Sequence, residues 1–226
     1  MIEVIILNHY SQLFQSDIDA LCNYISLKKQ EHIKKLQYRQ DKCNSILGDV
    51  LARSELCRIT GLKNDELEFS VNLYGKPYLV NFPDIHFNLS HAGDYVAFAV
   101  SNKPIGIDIE LIGMMNTEVI DRFFSLDEKI YVQSYNSVYR FFEVWTKKES
   151  RIKCEGQGLH KPLSSFSVFE SAKNTPLFYK KVFQDDNTIC HICSKQYIKP
   201  SVRIINLELL MQWVKNMDKL SHNIVM

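Results

Sequence analysis

The chain echoes itself at long range, and this echo constrains the fold more than any local signal. "FSV" at Phe69–Val71 returns at Phe166–Val168, 97 positions later, and the same shift carries Gly61 onto Gly158. It also lays "SILGDVLARSELCRIT" (45–60) over "FEVWTKKESRIKCEGQ" (142–157). Both segments have helical periodicity and stop at glycine, at Gly61 and at Gly156 with Gly158, as helices commonly do. Strand-like runs follow each helix: 67–73, 85–89 and 95–100 in the first half, then 165–170, 177–183 and 188–195 in the second. The order of elements predicts two related α+β units, residues 1–110 and 111–226, joined near Glu110. A cleft between two such units is a preferred ligand site. The tail "RIINLELLMQWVKNMDKL" adds a strand and an amphipathic helix.

At the junction stands "PIGIDIELIG" (104–113), an oily run that holds two acids. Strand side chains alternate faces. Ile107, Ile109 and Leu111 therefore point into the core, while Asp108 and Glu110 share the other face. Two carboxylates side by side repel unless a cation lies between them, and an arbitrary D-x-E is more often a solvated strand edge. A second cluster changes the weighing. "WTKKESRIK" (145–153) is helical, and the i, i+4 rule puts Trp145, Glu149 and Lys153 on one stripe, which taken alone is an ordinary Glu–Lys helix pair. Together the two segments offer three acids and a lysine. That set suits a hard divalent cation bridging a phosphorylated substrate.

Three further segments bear on an anionic ligand. "HFNLSHAGDYVAFAV" (86–100) puts Ser90 and His91 at a strand end before a glycine turn; His91 reads equally as a phosphate donor and as a turn residue. "LKKQEHIKKLQYRQDK" (27–42) is rich in Lys and Arg, either a solvated helix face or an anion contact. In "YGKPYL" (74–79), Gly75 and Pro77 make a turn that exposes Lys76.

Bulk properties exclude several classes. With 46% hydrophobic and 23% charged residues in 226, the chain can bury a core. A net charge of +1 argues against a general nucleic-acid binder. "MIEVIILNHYSQLFQSD" lacks a basic leader and reads as a first strand, and no apolar run approaches a membrane span. A cytoplasmic protein with no membrane partner is expected. Its six cysteines read as reduced and mostly buried apolar residues. "CHIC" (190–193) has a single C-x-x-C with no second ligand pair for zinc.

Four segments together resemble the 4′-phosphopantetheinyl transferases of the surfactin-synthetase-activating (Sfp) type. They are "LGDVLARS" (47–54), "YGKPYL" with "FNLSHAG" (74–93), "IGIDIE" (105–110) and "FFEVWTKKESRIKCEGQGL" (141–159), in matching order and spacing. The resemblance covers nearly the whole chain and fades over the last ~25 residues. It implies an α+β fold of two similar subdomains related by a pseudo-two-fold axis, each a helix on a small, largely antiparallel sheet, with the active site in the cleft between them. It implies transfer of the phosphopantetheine arm of coenzyme A to a serine of an apo acyl or peptidyl carrier protein, with release of adenosine 3′,5′-bisphosphate. Carriers of fatty-acid, polyketide and nonribosomal-peptide synthesis, including antibiotic pathways, are the implied partners.

By the same resemblance, Asp108, Glu110 and Glu149 hold Mg²⁺ or Mn²⁺, and Lys153 contacts the phosphates. Ser90 and His91 lie near the nucleotide's 3′-phosphate, and Lys76 with Pro77 borders the adenine. Lys29 and Ser45 are further phosphate contacts, and His32 stands where the family has a second basic one. Asp108, Glu149 and Lys153 are the expected catalytic groups, with Glu149 as the base. Carrier docking is expected after the catalytic helix, at Gly158, Leu159, Lys161 and Leu163. Glu128 matches either a family acid or a helix N-terminal charge after the Ser125 cap, and Cys154 reads as a packing residue. A monomer is expected, because both halves of the cleft belong to one chain. The rivals are a metal-dependent phosphohydrolase using the same acids on water, and an inactive carrier-binding module.

Overall fold

Two small sheets lie face to face in the computed structural model, each with a long helix on its outer side. Residues 1–8, 13–135, 137–170, 176–197 and 199–219 are described, apart from the side chains of 159, 218 and 219. The first half runs β1 (Ile2–Asn8), α1 (Gln15–Cys22), α2 (Leu27–Lys34), α3 (Arg39–Thr60), β2 (Phe69–Val71), β3 (Pro77–Leu79), β4 (His86–Ala92) and β5 (Tyr95–Ser101). The second runs β6 (Ile105–Leu111), α4 (Thr117–Phe123), α5 (Leu126–Gln133), α6 (Val138–Glu155), β7 (Phe178–Gln184), β8 (Thr188–Ser194), β9 (Ser201–Asn206) and α7 (Leu207–Lys219).

The first sheet has the order β4-β5-β1-β9 and the second β6-β8-β7; β2 and β3 form a separate hairpin. Every pairing is antiparallel except that of β1 with β9. β1 is apolar on both faces because both are covered. Ile5 and Leu7 join Leu47, Val50 and Leu51 of α3 in one core. Ile2, Val4 and Ile6 meet Ile105, Ile107 and Ile109 of β6 in a second core between the sheets. The third core lies beyond, where α6 packs with α4 and α5 around Phe124, Phe141 and Val144. The two long helices end as the glycines predict, with Gly61 at φ 73° and Gly156 at φ 69° in the left-handed region.

Three elements depart from the sequence reading. Residues 165–170 are not a strand. Backbone groups here and just before serve a buried ion pair: the Lys148 ammonium donates to the carbonyl oxygens of Leu163 and Phe166, and the Val168 N–H donates to Glu128. Pro77–Leu79 leaves the predicted turn as a short strand paired with β2. The tail strand, β9, crosses back to lie parallel to β1, with Val4 opposite Val202, and α7 packs its Leu210, Val214 and Met217 into the first core. Residues 201–219 thus complete the sheet of the first half.

Helix α6 lies almost on the backbone of β6, and Gly106 permits this. A Cβ there would stand 2.0 Å from the Ser150 carbonyl oxygen and 2.4 Å from the Cys154 nitrogen, both backbone atoms that cannot swing aside. Gly106→Ala is therefore expected to destabilise the protein by several kcal/mol, in the range of severe overpacking, read as a lowered thermal midpoint or loss of soluble protein. Gly113→Ala, where an added methyl meets open space, is the control expected to melt like the wild type. Equal midpoints for the two variants would contradict the close approach.

Candidate active site

β6 pairs with β8 along one edge only. Its other edge faces β4, and side chains close that seam instead of a strand ladder. Asn88 and Ser90 lie two apart on β4, so they share a face. Asn88 Oδ1 accepts from the Ile107 N–H at 2.9 Å, and Ser90 Oγ accepts from the Ile109 N–H at 3.3 Å. The Lys76 ammonium donates to the carbonyls of Ile105 (2.8 Å) and Lys153 (2.6 Å), pinning the β2–β3 turn to both β6 and α6. Buried backbone groups need partners, and "FNLS" and "GKP" supply them here.

The alternation along β6 runs as the sequence predicts at Ile107 and Ile109, which enter the core between the sheets with Ile105. Leu111, expected in that core, is instead 44% exposed, because the strand ends there beyond the cover of the first sheet. Asp108 and Glu110 face α6. The helix answers with one stripe. Trp145 Nε1 donates to Glu110 Oε1 at 3.1 Å, and Lys153 Nζ donates to Asp108 Oδ1 at 2.5 Å. The i, i+4 partner Glu149 does not take Lys153; its carboxylate has no hydrogen bond or ion pair among the described residues. Asp108 is only 3% exposed. Its Oδ1 also accepts from Ser90 Oγ at 3.1 Å, whereas its Oδ2 is buried without a partner among the described residues.

The electrostatics follow from this crowding. Burial pushes the Asp108 carboxyl up, and Lys153 pulls against it. Burial, then the charge of Asp108, pushes Glu110 up to about 7. Burial and Asp108 raise Glu149 as well. Burial works against the Lys153 ammonium, but Asp108 more than offsets it and raises its proton affinity. Among the described residues no three ligating side chains are already gathered into a metal cage. The donor set nevertheless fits a hard cation: three mutually repelling carboxylates, one with an orphaned buried oxygen, are what a divalent ion would relieve.

Other expected contacts separate into two groups. On the outer side, His91 is exposed at the end of β4; burial by its surroundings, then Lys153, lowers its proton affinity, and Asp41 and Lys29 also act on it. Lys29 of α2 therefore shares the His91 neighbourhood. Ser45 is half-buried on α3, and His32 and Pro77 are exposed. The second group is committed elsewhere. The Lys76 ammonium is held by two carbonyls, so only its backbone and stem can border a ligand. Leu163 is 3% exposed in the third core, which removes it from a docking surface. Lys161 pairs with Glu155 at 2.6 Å. Gly158 sits in a 3-10 turn at φ 56°, and Tyr74 meets His160 in a tilted ring contact with centres 5.2 Å apart. The Leu159 side chain lies outside the described residues.

Glu128 resolves toward the capping reading. It is fully buried, accepts from the Ser125 N–H at 2.8 Å, and pairs with the equally buried Lys148 at 2.7 Å. Sequence reasoning missed Lys148, set only beside the stripe, and missed Asn88, although the N-x-S spacing on β4 signals its shared face with Ser90. The two "CHIC" cysteines divide by strand alternation: Cys190 enters the core between the sheets and Cys193 turns toward Cys154 on α6.

His191, opposite Asp108 in the β6–β8 register, is 2% exposed and shares a 2.8 Å hydrogen bond with Thr146 Oγ1. Burial, then Lys147, lowers its pKa to about 3. A histidine held neutral in the fold but free to protonate when unfolded gives stability that is full above its unfolded pKa and lost as pH falls toward the folded one. At pH 4.5 that loss is about 2.7 kcal/mol relative to the plateau above neutral pH, with a slope approaching roughly 1.4 per unit below 6.5. Urea unfolding of His191→Gln should show this acid loss reduced; an unchanged pH slope would exclude His191 as its source.

A seam lined by three acids and a lysine has the composition of metal-assisted phosphoryl-group chemistry. Comparison with known proteins gives the class its identity. Residues 12–103 match the model of the N-terminal part of 4′-phosphopantetheinyl transferases, and residues 104–209 that of the 4′-phosphopantetheinyl transferase superfamily. Among curated proteins, the transferase gsp of Aneurinibacillus migulanus is 35% identical over 84% of this chain and 80% of its own. The transferase ffp of Bacillus subtilis is 33% identical over 88% and 95%. Sfp of Bacillus subtilis strain 168 is 39% identical over 69% and 71%. The chain belongs to the 4′-phosphopantetheinyl transferase family and is an enzyme of that type.

Proposed function

We propose that this transferase moves the 4′-phosphopantetheine arm of coenzyme A to a serine of an apo acyl or peptidyl carrier protein, releasing adenosine 3′,5′-bisphosphate. The observation that carries this reading is the meeting of Asp108, Glu110 and Lys153 at the seam, with Glu149 in their field, in a member of this family. The serine oxygen attacks the phosphorus that bears the arm. A P–O bond forms there, and the P–O bond to the nucleotide's 5′-phosphate breaks. Such transfer needs alignment and charge neutralisation more than covalent help.

Glu149 takes the serine proton. Among the described residues it has no hydrogen-bond or ion-pair partner, and its raised proton affinity suits a base. Lys153, fixed by Asp108, presents positive charge to the phosphates as charge builds on them. His91 and Lys29 hold the 3′-phosphate, Ser45 lies behind them, and the Lys76–Pro77 backbone borders the adenine. Mg²⁺ or Mn²⁺ on Asp108, Glu110 and Glu149 would, when bound, neutralise the pyrophosphate charge. The carrier docks around Gly158 and Lys161, beside the exposed turn that follows α6. Lys161→Glu is expected to raise the KM for an acidic carrier while leaving that for coenzyme A unchanged; equal carrier KM values would remove Lys161 from the interface. A cytoplasmic monomer is the working form, because both subdomains that flank the seam lie in one polypeptide; among the described residues no helix is long and apolar enough to cross a membrane.

The deciding experiment is intact-mass spectrometry of apo carriers of the fatty-acid, polyketide and nonribosomal-peptide types after incubation with coenzyme A and Mg²⁺. A gain of one phosphopantetheine arm is expected. No gain on any of them overturns the reading, and bisphosphate release at full rate without acceptor makes the protein a hydrolase.

A further inference from the structure

We infer that Ser90 is a positioning residue for the Asp108–Lys153 pair and not a ligand of the nucleotide phosphate; this rests on the proposed transfer. A serine hydroxyl can donate one hydrogen bond and accept two. At Ser90 all three are in use. Oγ donates to Asp108 Oδ1 at 3.1 Å, and accepts from the Ile109 N–H at 3.3 Å and from Lys153 Nζ at 3.1 Å. The residue is 8% exposed, so no capacity and little open surface remain for a phosphate oxygen.

Strand alternation points the same way. Asn88 and Ser90 turn toward β6, whereas Phe87 and Leu89 turn toward α3 and the first core. His91 continues that second face; it lies in the field of Lys153, then of Asp41 and Lys29, but makes no hydrogen bond to the Asp108–Lys153 pair among the described residues. Neighbouring residues on a strand project oppositely, so Ser90 and His91 address different groups: His91 the anion at the rim, Ser90 the carboxylate and ammonium in the seam. Among the described residues, Ser90 is the one side chain hydrogen-bonded to Asp108, Lys153 and the β6 backbone together. It fixes the angle at which α6 presents its lysine to the strand that carries the acids.

The two roles separate kinetically. Wild type, Ser90→Ala and Ser90→Cys are assayed with coenzyme A and with 3′-dephospho-coenzyme A, and binding of adenosine 3′,5′-bisphosphate is measured by calorimetry. Loosening a catalytic pair by a fraction of an ångström to an ångström lowers turnover by roughly 10- to 100-fold. Ser90→Ala should lose kcat by about that factor with both donors. Its bisphosphate Kd should stay within roughly threefold of wild type, short of the loss of a charged hydrogen bond. Ser90→Cys, similar in size but a weaker partner, should fall between and decides the matter if the alanine variant does not fold. A Kd raised more than tenfold, about 1.4 kcal/mol, with kcat retained would make Ser90 a phosphate ligand and overturn the inference. Full turnover in both variants overturns it too, while the transfer reading stands. A wild type that transfers nothing from either donor overturns both.

Discussion

Glu149→Gln is expected to lower turnover by about a thousandfold, within the range for removal of a general base, and to leave the thermal midpoint where it is or raise it. The second half of that expectation comes from the geometry. Among the described residues the Glu149 carboxylate makes no hydrogen bond or ion pair that its loss could break. Burial and the negative charge of Asp108 oppose its ionisation, and it in turn opposes that of Glu110. Neutralising it removes repulsion from the ligand-free protein. Lys153→Met is the contrast. It too should abolish transfer, but it strands a 3%-exposed Asp108 with its counter-charge gone, and so should also lower stability. Turnover of Glu149→Gln within tenfold of wild type would remove Glu149 from the chemistry. A large fall in its midpoint would mean that the carboxylate has a structural partner.

Lys148→Met is expected to cost about 3–5 kcal/mol, the penalty for breaking a buried pair by removing one member. At roughly 2–4 °C per kcal/mol for a chain of this size, the midpoint should fall by about 6–20 °C. The side chains of Lys148 and Glu128 are both wholly buried, 2.7 Å apart. Lys148 also takes the carbonyls of Leu163 and Phe166, and Glu128 the N–H groups of Ser125 and Val168. Removing the ammonium leaves a buried carboxylate and two carbonyls without their partner. The double variant Lys148→Met/Glu128→Gln should recover part of the loss, because no uncompensated charge remains. Calorimetric melts test both statements; a single variant melting within about 3 °C of wild type, a loss near 1 kcal/mol, would show that water replaces the ammonium.

What was legible in the sequence was what local periodicity encodes. Alternation placed Asp108 and Glu110 on one face of β6, and the i, i+4 stripe placed Trp145 and Lys153 opposite them. The glycine stops fixed the ends of both long helices. What was not legible depends on partners far along the chain. Lys148 reads as a solvated lysine until Glu128, twenty positions earlier, is seen folded against it. "SFSVF" has a strand's composition, but those two buried charges take its backbone groups. Leu163 looks like an exposed loop residue because nothing local reveals the core beneath it. Ser90 illustrates the limit of resemblance. A motif locates a residue near a ligand, but only the count of its hydrogen bonds tells which neighbour it serves.

The return of β9 to β1 has a consequence for how the chain is made. Glu3 pairs with Ser201 and Asn8 with Asn206, contacts separated by about 200 residues, at the extreme of non-local pairing. On the ribosome, β1 can meet β5 early but must wait for nearly the whole chain before its second edge is covered. Until then the apolar strand "IEVIILN" presents open backbone groups to any neighbouring nascent chain. Strand β9 thus seals an edge that β1 has held open since the start of the described residues.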